Sequence, residues 1–509
     1  MNSNVRIALN TSVLYTQLVI TIAINLYATR LIIGAMGIED FGIVNLVSGI
    51  VAMFSFIQSS MTVSSQRFLS VNMGHHDIKK QIRIFNSSFS LHVLLCLIIV
   101  ILLEIAFPFV FNSDIKIPVE RIESAKILYQ LIILSTSIII VGVPFDAALN
   151  AHENMLMVSV ASILESVLRL IGAIWLMECH EDKLIFYGLL AIVIRLTSFL
   201  LKMLYCIYYY ADSRISLNKS SWNDMNAMFS FASWNALGSF SMAIKSYGIA
   251  ITLNMFLGVL INTAYGIANQ VSAQLMNFSS TLTKAIAPQV MKSQGSGELD
   301  RMVSLSLKQS KYSFILLLMM TIPVFVDMPY ILSLWLGEIP PYSVLFCRAI
   351  LIVSLIQQIT SGVMTAIQAD GRIGKYIVVI SIITCMAIPI AYFSLYLGLG
   401  EKLVLFSLVI IELLCMIVRF YFLHHLVRVE YTMILTSVLQ PVSVLIVVSG
   451  VVVYIMLAFQ RGMVFSNILL HACLSVIVVG ICSFFILGKD EKDILRKVVH
   501  KICYRIKEF

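Results

Sequence analysis

Phe41-Gly42-Ile43-Val44-Asn45-Leu46-Val47-Ser48 returns as Tyr265-Gly266-Ile267-Ala268-Asn269-Gln270-Val271-Ser272, and the register holds without a gap to Phe54-Ser55 and Phe278-Ser279. Each copy falls in the second membrane-length apolar run of its half of the chain, so the two are offset by six spans. An even number of spans restores the chain direction. The halves are therefore expected to be parallel repeats related by an axis along the membrane normal, an arrangement used by proteins that work between their halves.

Composition places the whole chain in the membrane class. Of 509 residues, 59% are hydrophobic and 12% charged, with a mean hydropathy of +0.94, whereas soluble domains are roughly 25% charged. The first apolar run, residues 8–34, exceeds the ~7–15-residue core of a signal peptide and lacks a small-x-small site behind it, so it reads as a span. About fourteen transmembrane helices follow from runs of ~20 or more residues, among them 41–64, 156–177, 184–210, 228–257, 259–282, 312–335 and 403–426. The expected organisation is all-α: a six-helix lobe (1–210), a linker (211–227), a second six-helix lobe (228–426), helices 13 and 14 (427–488) and a basic tail (489–509). The hydrophilic stretches 66–83 and 284–311 read as loops.

Net charge is +8, and its distribution carries the information. Roughly 22 of the Lys and Arg residues lie in the terminal segments and in loops after even-numbered spans, so both termini are expected to be cytoplasmic. The tail fits anchoring beside anionic headgroups rather than nucleic-acid binding. The nine Cys and nine His contain no C-x-x-C and no ligand-spaced set, so no metal or other cofactor is expected. With no G-x-x-x-x-G-K-[ST] loop, no H-E-x-x-H and no hydrolytic carboxylate pair, the chain reads as a protein that is not an enzyme.

Ionisable residues inside spans are costly and so mark function or pairing. Lys245 lies on a stripe of small and polar residues in the seventh span: Ser230, Trp234, Gly238, Ser241, Lys245, Gly248 and Thr252. Such a face meets either a cavity or a close helix contact. Asn10, Gln17, Thr21 and Asn25 form a second stripe on the first span, suited to a cavity or to interhelical hydrogen bonds. Arg30 projects away from it near the outer end. Glu165 and Arg169, four apart in acid-first order, are expected to neutralise each other, with Arg195 joining them. Glu412 and Arg419 read as a second structural pair. Counting within spans, cations exceed carboxylates by about two, which suits an anionic substrate. Pro323 and Pro329 flank Asp327 and mark a helix break.

Arg30 with Gly37, Phe41-Gly42-Ile43, Gln66-Arg67-Phe68, the stretch from Ile139 to Glu153, Met228-Phe229-Ser230-Phe231-Ala232 and Ile331-Leu332-Ser333-Leu334-Trp335-Leu336 together resemble bacterial polysaccharide flippases. These are the O-antigen and capsule repeat-unit exporters of the multidrug/oligosaccharidyl-lipid/polysaccharide (MOP) superfamily. The resemblance runs over nearly the whole chain. It implies fourteen helices as two six-helix lobes around a V-shaped cavity, with a final helix pair, in the bacterial cytoplasmic (inner) membrane. It also implies a substrate: an oligosaccharide repeat unit on undecaprenyl diphosphate, moved from inner to outer leaflet for surface polysaccharide or lipopolysaccharide synthesis. Expected partners are that lipid-linked oligosaccharide, membrane lipid, polysaccharide polymerase and glycosyltransferases, with no nucleic acid. Lys245, Arg30 and Arg67 are the candidate cations for the diphosphate, and Gln17, Thr21, Asn25 and Ser241 for the sugar path. At Tyr265 flippases of this type often carry Arg. A multidrug or cation antiporter of the same superfamily, and a non-transporting scaffold for glycan assembly, are the competing readings.

Overall fold

The computed structural model describes residues 3–52, 55–75, 77–111, 118–336, 338–458 and 465–486. Residues 489–509, read above as a basic tail, lie outside them. Among the described residues the chain is helical and has no strand. A helix closes its own backbone hydrogen bonds, which an apolar surrounding cannot supply.

In chain order the helices are α1 (Ser3–Ala52), α2 (Ser55–Gly74), α3 (Ile78–Phe111), α4 (Ile122–Ala151), α5 (Met155–Glu178), α6 (Lys183–Tyr209), α7 (Trp222–Leu257), α8 (Val259–Gly295) and α9 (Leu299–Val326). Then come α10 (Met328–Leu336), α11 (Ser343–Ile359), α12 (Ser361–Asp370), α13 (Gly374–Cys385), α14 (Ala387–Tyr396), α15 (Gly400–Phe422), α16 (Tyr431–Ile434), α17 (Gln440–Ala458) and α18 (Phe465–Ile486).

Among the described residues 11 helices are long and apolar enough to cross a membrane, or 12 if the bent pair α11 and α12 is one span. The two remaining passes are the repeated segments. One is the end of α1 with α2, where Gln58, Ser59, Ser60, Thr62, Ser64 and Ser65 lower the hydropathy; the other is α8, with Asn262, Asn269, Gln270 and Gln274. Together they account for the fourteen passes read from the sequence. The chain turns ahead of each copy at a glycine of positive φ, Gly37 (φ +81°) before Phe41 and Gly258 (φ +82°) before Tyr265, although the two do not occupy the same position of the repeat; that conformation costs other residues about 1 kcal/mol or more.

Two expectations are corrected. The stretch 284–311 is mostly helix, since α8 continues to Gly295 and α9 begins at Leu299. The second pass extends past residue 64 to Gly74. Apolar content marks the lipid-length part of a helix, while the helix itself continues into polar sequence wherever nothing breaks it.

The chain forms two compact units: Asn10–Ala236 with Gly295–Gly297, and Met1–Leu9 with Leu237–Gln294 and Glu298–Phe509. The first packs around Ala28, Ile32, Val47, Leu103, Tyr129 and Leu176, and the Tyr129 hydroxyl is satisfied by donating to the Leu103 carbonyl at 2.7 Å. The second packs around Leu253, Ala264, Phe346, Leu351, Ala387 and Leu408. Tyr265 belongs to this core, 4% exposed and edge-on to Phe346.

Helix breaks in the second unit expose carbonyls that need partners. The chain breaks at Asp327, between Pro323 and Pro329. Arg348 of α11 donates there to the carbonyls of Phe325 (2.9 Å) and Val326 (3.4 Å), and His471 of α18 pairs with Asp327 at 2.7 Å. Ser475, one turn further along α18, donates to the Met319 carbonyl. The final helix is thus docked on the α9–α10 break through a buried polar pair. Replacing His471 by Ala should lower the unfolding free energy of the detergent-solubilised protein by about 1–3 kcal/mol, read as a lower unfolding temperature. An unchanged temperature would show that the pair does not hold α18.

Candidate functional site

The site is built where α5 and α6 face each other in the first unit. Asn154 caps α5, its carboxamide oxygen accepting from the Met157 amide, and Asp182 caps α6 by accepting from the Leu184 amide. With the starts of both helices fixed, Glu165, Ser166 and Arg169 of α5 fall opposite Tyr187, Ala191 and Arg195 of α6.

Glu165 pairs with Arg195 at 2.6 Å, and it also accepts from the Ser198 hydroxyl. Lys202 lies 2.9 Å from Asp146 of α4 and 3.9 Å from Glu165. This corrects the expected Glu165–Arg169 pair. The spacing rule applies to an isolated helix surface, whereas here a neighbouring helix offers Arg195, Ser198 and Lys202 on one face and takes both oxygens of the carboxylate. Arg169 is left with no hydrogen bond or ion pair among the described residues. Three cations to two carboxylates leave this cluster one positive charge in excess, and Arg169 carries it.

Arg169 lines a cavity of about 330 Å³ with Gln17, Asn25, Ser162, Glu165 and Arg195. The polar stripe of α1 thus reaches it through Gln17, Thr21 and Asn25, with Asn25 donating to Ser166 at 3.3 Å and Thr21 to the Leu18 carbonyl. Asn10 sits elsewhere and donates to the Glu153 carbonyl. The volume is within the range of small-ligand sites. A guanidinium with no ion-pair partner, beside amides and hydroxyls and with Glu165 engaged by Arg195, can bind an anion bidentately.

A second cavity, about 350 Å³, lies against the same face of α6. Tyr187, Ala191 and Arg195 line both, and Ser48, Gln58, Ser135 and Thr136 give the second its polar groups.

The other sequence candidates separate from this site. Arg30 is exposed on α1 and lines neither cavity. Arg67 stacks its guanidinium over Phe231 (4.8 Å) and Phe68 (5.2 Å), a cation–π arrangement that accounts for its position in the Gln66-Arg67-Phe68 motif.

In the second unit the α7 stripe is largely a packing seam. A side chain at Gly238 or Gly248 would meet Ile377 or Ile388, and Ser241 and Thr252 are buried and bonded to their own helix. Lys245 sits within it, half-buried, with no hydrogen bond or ion pair among the described residues, and within electrostatic reach of Cys415. Glu412 and Arg419 pair at 2.8 Å with side chains 3% and 4% exposed, and Arg419 also donates to Thr360 at the α11–α12 break. That pair is walled in, unlike Glu165–Arg195, which is 23% and 43% exposed.

Sequence reasoning missed Asp146–Lys202, Ser198, and the second cavity's Gln58, Ser135 and Thr136. The signal was present on α6, where Arg195, Ser198 and Lys202 recur at steps of three and four. Among the described residues no group of His, Cys, Asp and Glu could hold a metal ion.

No protein-family model matches the chain. A membrane protein of Bacillus subtilis (strain 168), the uncharacterized membrane protein EpsK, is 18% identical over 340 residues, a match spanning 66% of each chain. Solved structures share the fold. A MOP superfamily transporter from Pyrococcus furiosus superposes with a TM-score of 0.72 at 15% identity, covering 84% of this chain and 96% of its own. A MATE protein in the straight conformation gives 0.71 at 16% identity, with 84% and 97% covered. An outward-facing multidrug resistance MATE family transporter gives 0.70 at 15%, with 84% and 96% covered.

Glu165→Gln should leave Arg195 without its countercharge. Because Arg195 is partly exposed, the expected loss is about 1–3 kcal/mol of stability, less than a fully enclosed pair would lose. The double variant Glu165→Gln with Arg195→Gln should lose less than the sum of the single variants in a thermal-unfolding cycle. Strict additivity would show that the two side chains do not interact.

Proposed function

We propose that the protein is a transporter that moves an anionic lipid-linked oligosaccharide, the repeat unit on an undecaprenyl diphosphate carrier, from the inner to the outer leaflet of the bacterial cytoplasmic membrane. The observation that carries this reading is Arg169, a cation without a countercharge on the wall of a polar cavity where cations outnumber carboxylates. An uncompensated charge within a membrane span costs several kcal/mol unless it faces a cavity, where water or a visiting anion can meet it. A phosphate is the natural visitor, since guanidinium matches its oxygens two at a time.

Three further lines support it. The sequence motifs resemble polysaccharide flippases, the fold is that of MOP transporters, and the Pyrococcus furiosus relative is described as having a binding pocket of reversed polarity that suggests a different function. Another structure of the same fold is a multidrug resistance transporter, which makes drug export the second reading. An antiporter of that kind needs a deep carboxylate free to take up a coupling cation. Here Glu165 and Glu412 each hold an arginine within 2.8 Å, which argues for the anionic substrate.

Deleting the gene should cause lipid-linked oligosaccharide to accumulate on the inner leaflet, with little change in ethidium content. Raised intracellular ethidium, with lipid-linked oligosaccharide still reaching the outer face, would replace this reading with the drug antiporter.

A further inference from the structure

The two cavities of the first unit differ in chemistry, although one helix face borders both. Tyr187, Ala191 and Arg195 are spaced four apart on α6, so they form a single wall with one cavity on either side. The first cavity carries Arg169 and the Arg195–Glu165 pair. The second has no ionisable side chain at depth except Arg195 on the shared wall. Its polar groups are Ser48, Gln58, Ser135 and Thr136, set in an aliphatic lining that includes Ile132 and Ile140.

None of those four side chains makes a hydrogen bond among the described residues, and Ser135 is only 7% exposed. Ser48, Gln58 and Thr136 are partly exposed, so their polar groups are open to whatever occupies the cavity. A row of neutral donors and acceptors not engaged by protein, beside apolar surface and a tyrosine ring, is the complement of a sugar, whose hydroxyls bond and whose C–H faces pack. A phosphate there would find one guanidinium at the rim, already engaged by Glu165, whereas in the first cavity it would also find Arg169 unengaged.

We propose that the first unit holds its substrate in two compartments divided by α6. The diphosphate sits in the Arg169 cavity and the first neutral sugar in the cavity lined by Gln58, Ser135 and Thr136, with the bond between them crossing the wall over Ala191. Ala191 has the smallest side chain of the three, so the wall is lowest there, between the Tyr187 ring and the Arg195 guanidinium. Arg195 faces both compartments and contacts the phosphate–sugar junction. This assignment rests on the transport reading above, and it makes Gln58, Ser135 and Thr136 determinants of which sugar is accepted next to the diphosphate.

The test uses the full chain in nanodiscs of neutral lipid. Three probes are compared: inorganic diphosphate, undecaprenyl diphosphate, and undecaprenyl diphosphate carrying one N-acetylglucosamine. Arg169→Gln should weaken all three by about tenfold or more, with Arg169→Lys recovering part of the loss at an unchanged unfolding temperature. Ser135→Ala and Thr136→Val, which touch the second cavity alone, should leave the first two probes at wild-type affinity and weaken the sugar-bearing lipid by about tenfold. The compartments are refuted if Ser135→Ala and Thr136→Val either spare the sugar-bearing lipid or weaken all three probes equally. If the wild-type protein binds neither lipid and binds ethidium instead, the transport reading itself fails, and that result is distinct from the other two.

Discussion

An ionised side chain among apolar helices must find a partner inside the protein, and the pairing of Glu165 with Arg195 and Ser198 decides how the first unit meets that requirement. It fixes α5 against α6 and leaves Lys202 to Asp146. It also takes away the one carboxylate that Arg169 could have reached along its own helix. Everything chemically distinctive about the cavity follows from that choice. Had Glu165 turned to Arg169, Arg195 would stand unpaired on the wall and the charge would lie on the boundary between the two cavities instead of at the back of one.

The two halves of the repeat use the same pair of residue types differently. In the second unit Glu412 and Arg419 are almost fully enclosed, and Arg419 is further tied to Thr360 where α11 gives way to α12. A closed pair of this kind offers nothing to a ligand. It is expensive to break and so holds the helix break in place, as Arg348 and His471 do at Asp327. In the first unit the Glu165–Arg195 pair, which joins two helices instead of lying along one, is open to a cavity and accompanied by an extra cation. Each unit holds a Glu–Arg pair, and the difference in enclosure separates a walled-in pair from one that borders a cavity. Lys245, half-buried and unpaired on a seam otherwise made of small residues, is the second unit's remaining uncompensated cation among the described α7 side chains.

Much of the fold was legible because it rests on local patterns. The Phe41 and Tyr265 segments revealed the repeat, apolar run lengths gave the number of passes, and Pro323 and Pro329 marked the break at Asp327. Helical spacing also placed Gln17, Thr21 and Asn25 on one face, and they do meet at one cavity. What failed were inferences that stop at a single helix. The four-residue spacing of Glu165 and Arg169 says nothing about Arg195 on the next helix, and the stripe around Lys245 looks the same whether it faces water or Ile377 and Ile388. His471 and Asp327 lie 144 positions apart, so no window of sequence connects them.

On the proposed function, Arg169 is left unpaired to meet a phosphate in transit. That role is tested most directly by reconstituting the protein in liposomes and following the rate at which undecaprenyl-diphosphate-linked oligosaccharide crosses the bilayer. The wild-type chain should translocate it, Arg169→Gln should slow the crossing by about tenfold or more, equivalent to ~1.4 kcal/mol or more, and Arg169→Lys should retain part of the rate. Translocation by Arg169→Gln at the wild-type rate would contradict a phosphate-binding role for Arg169.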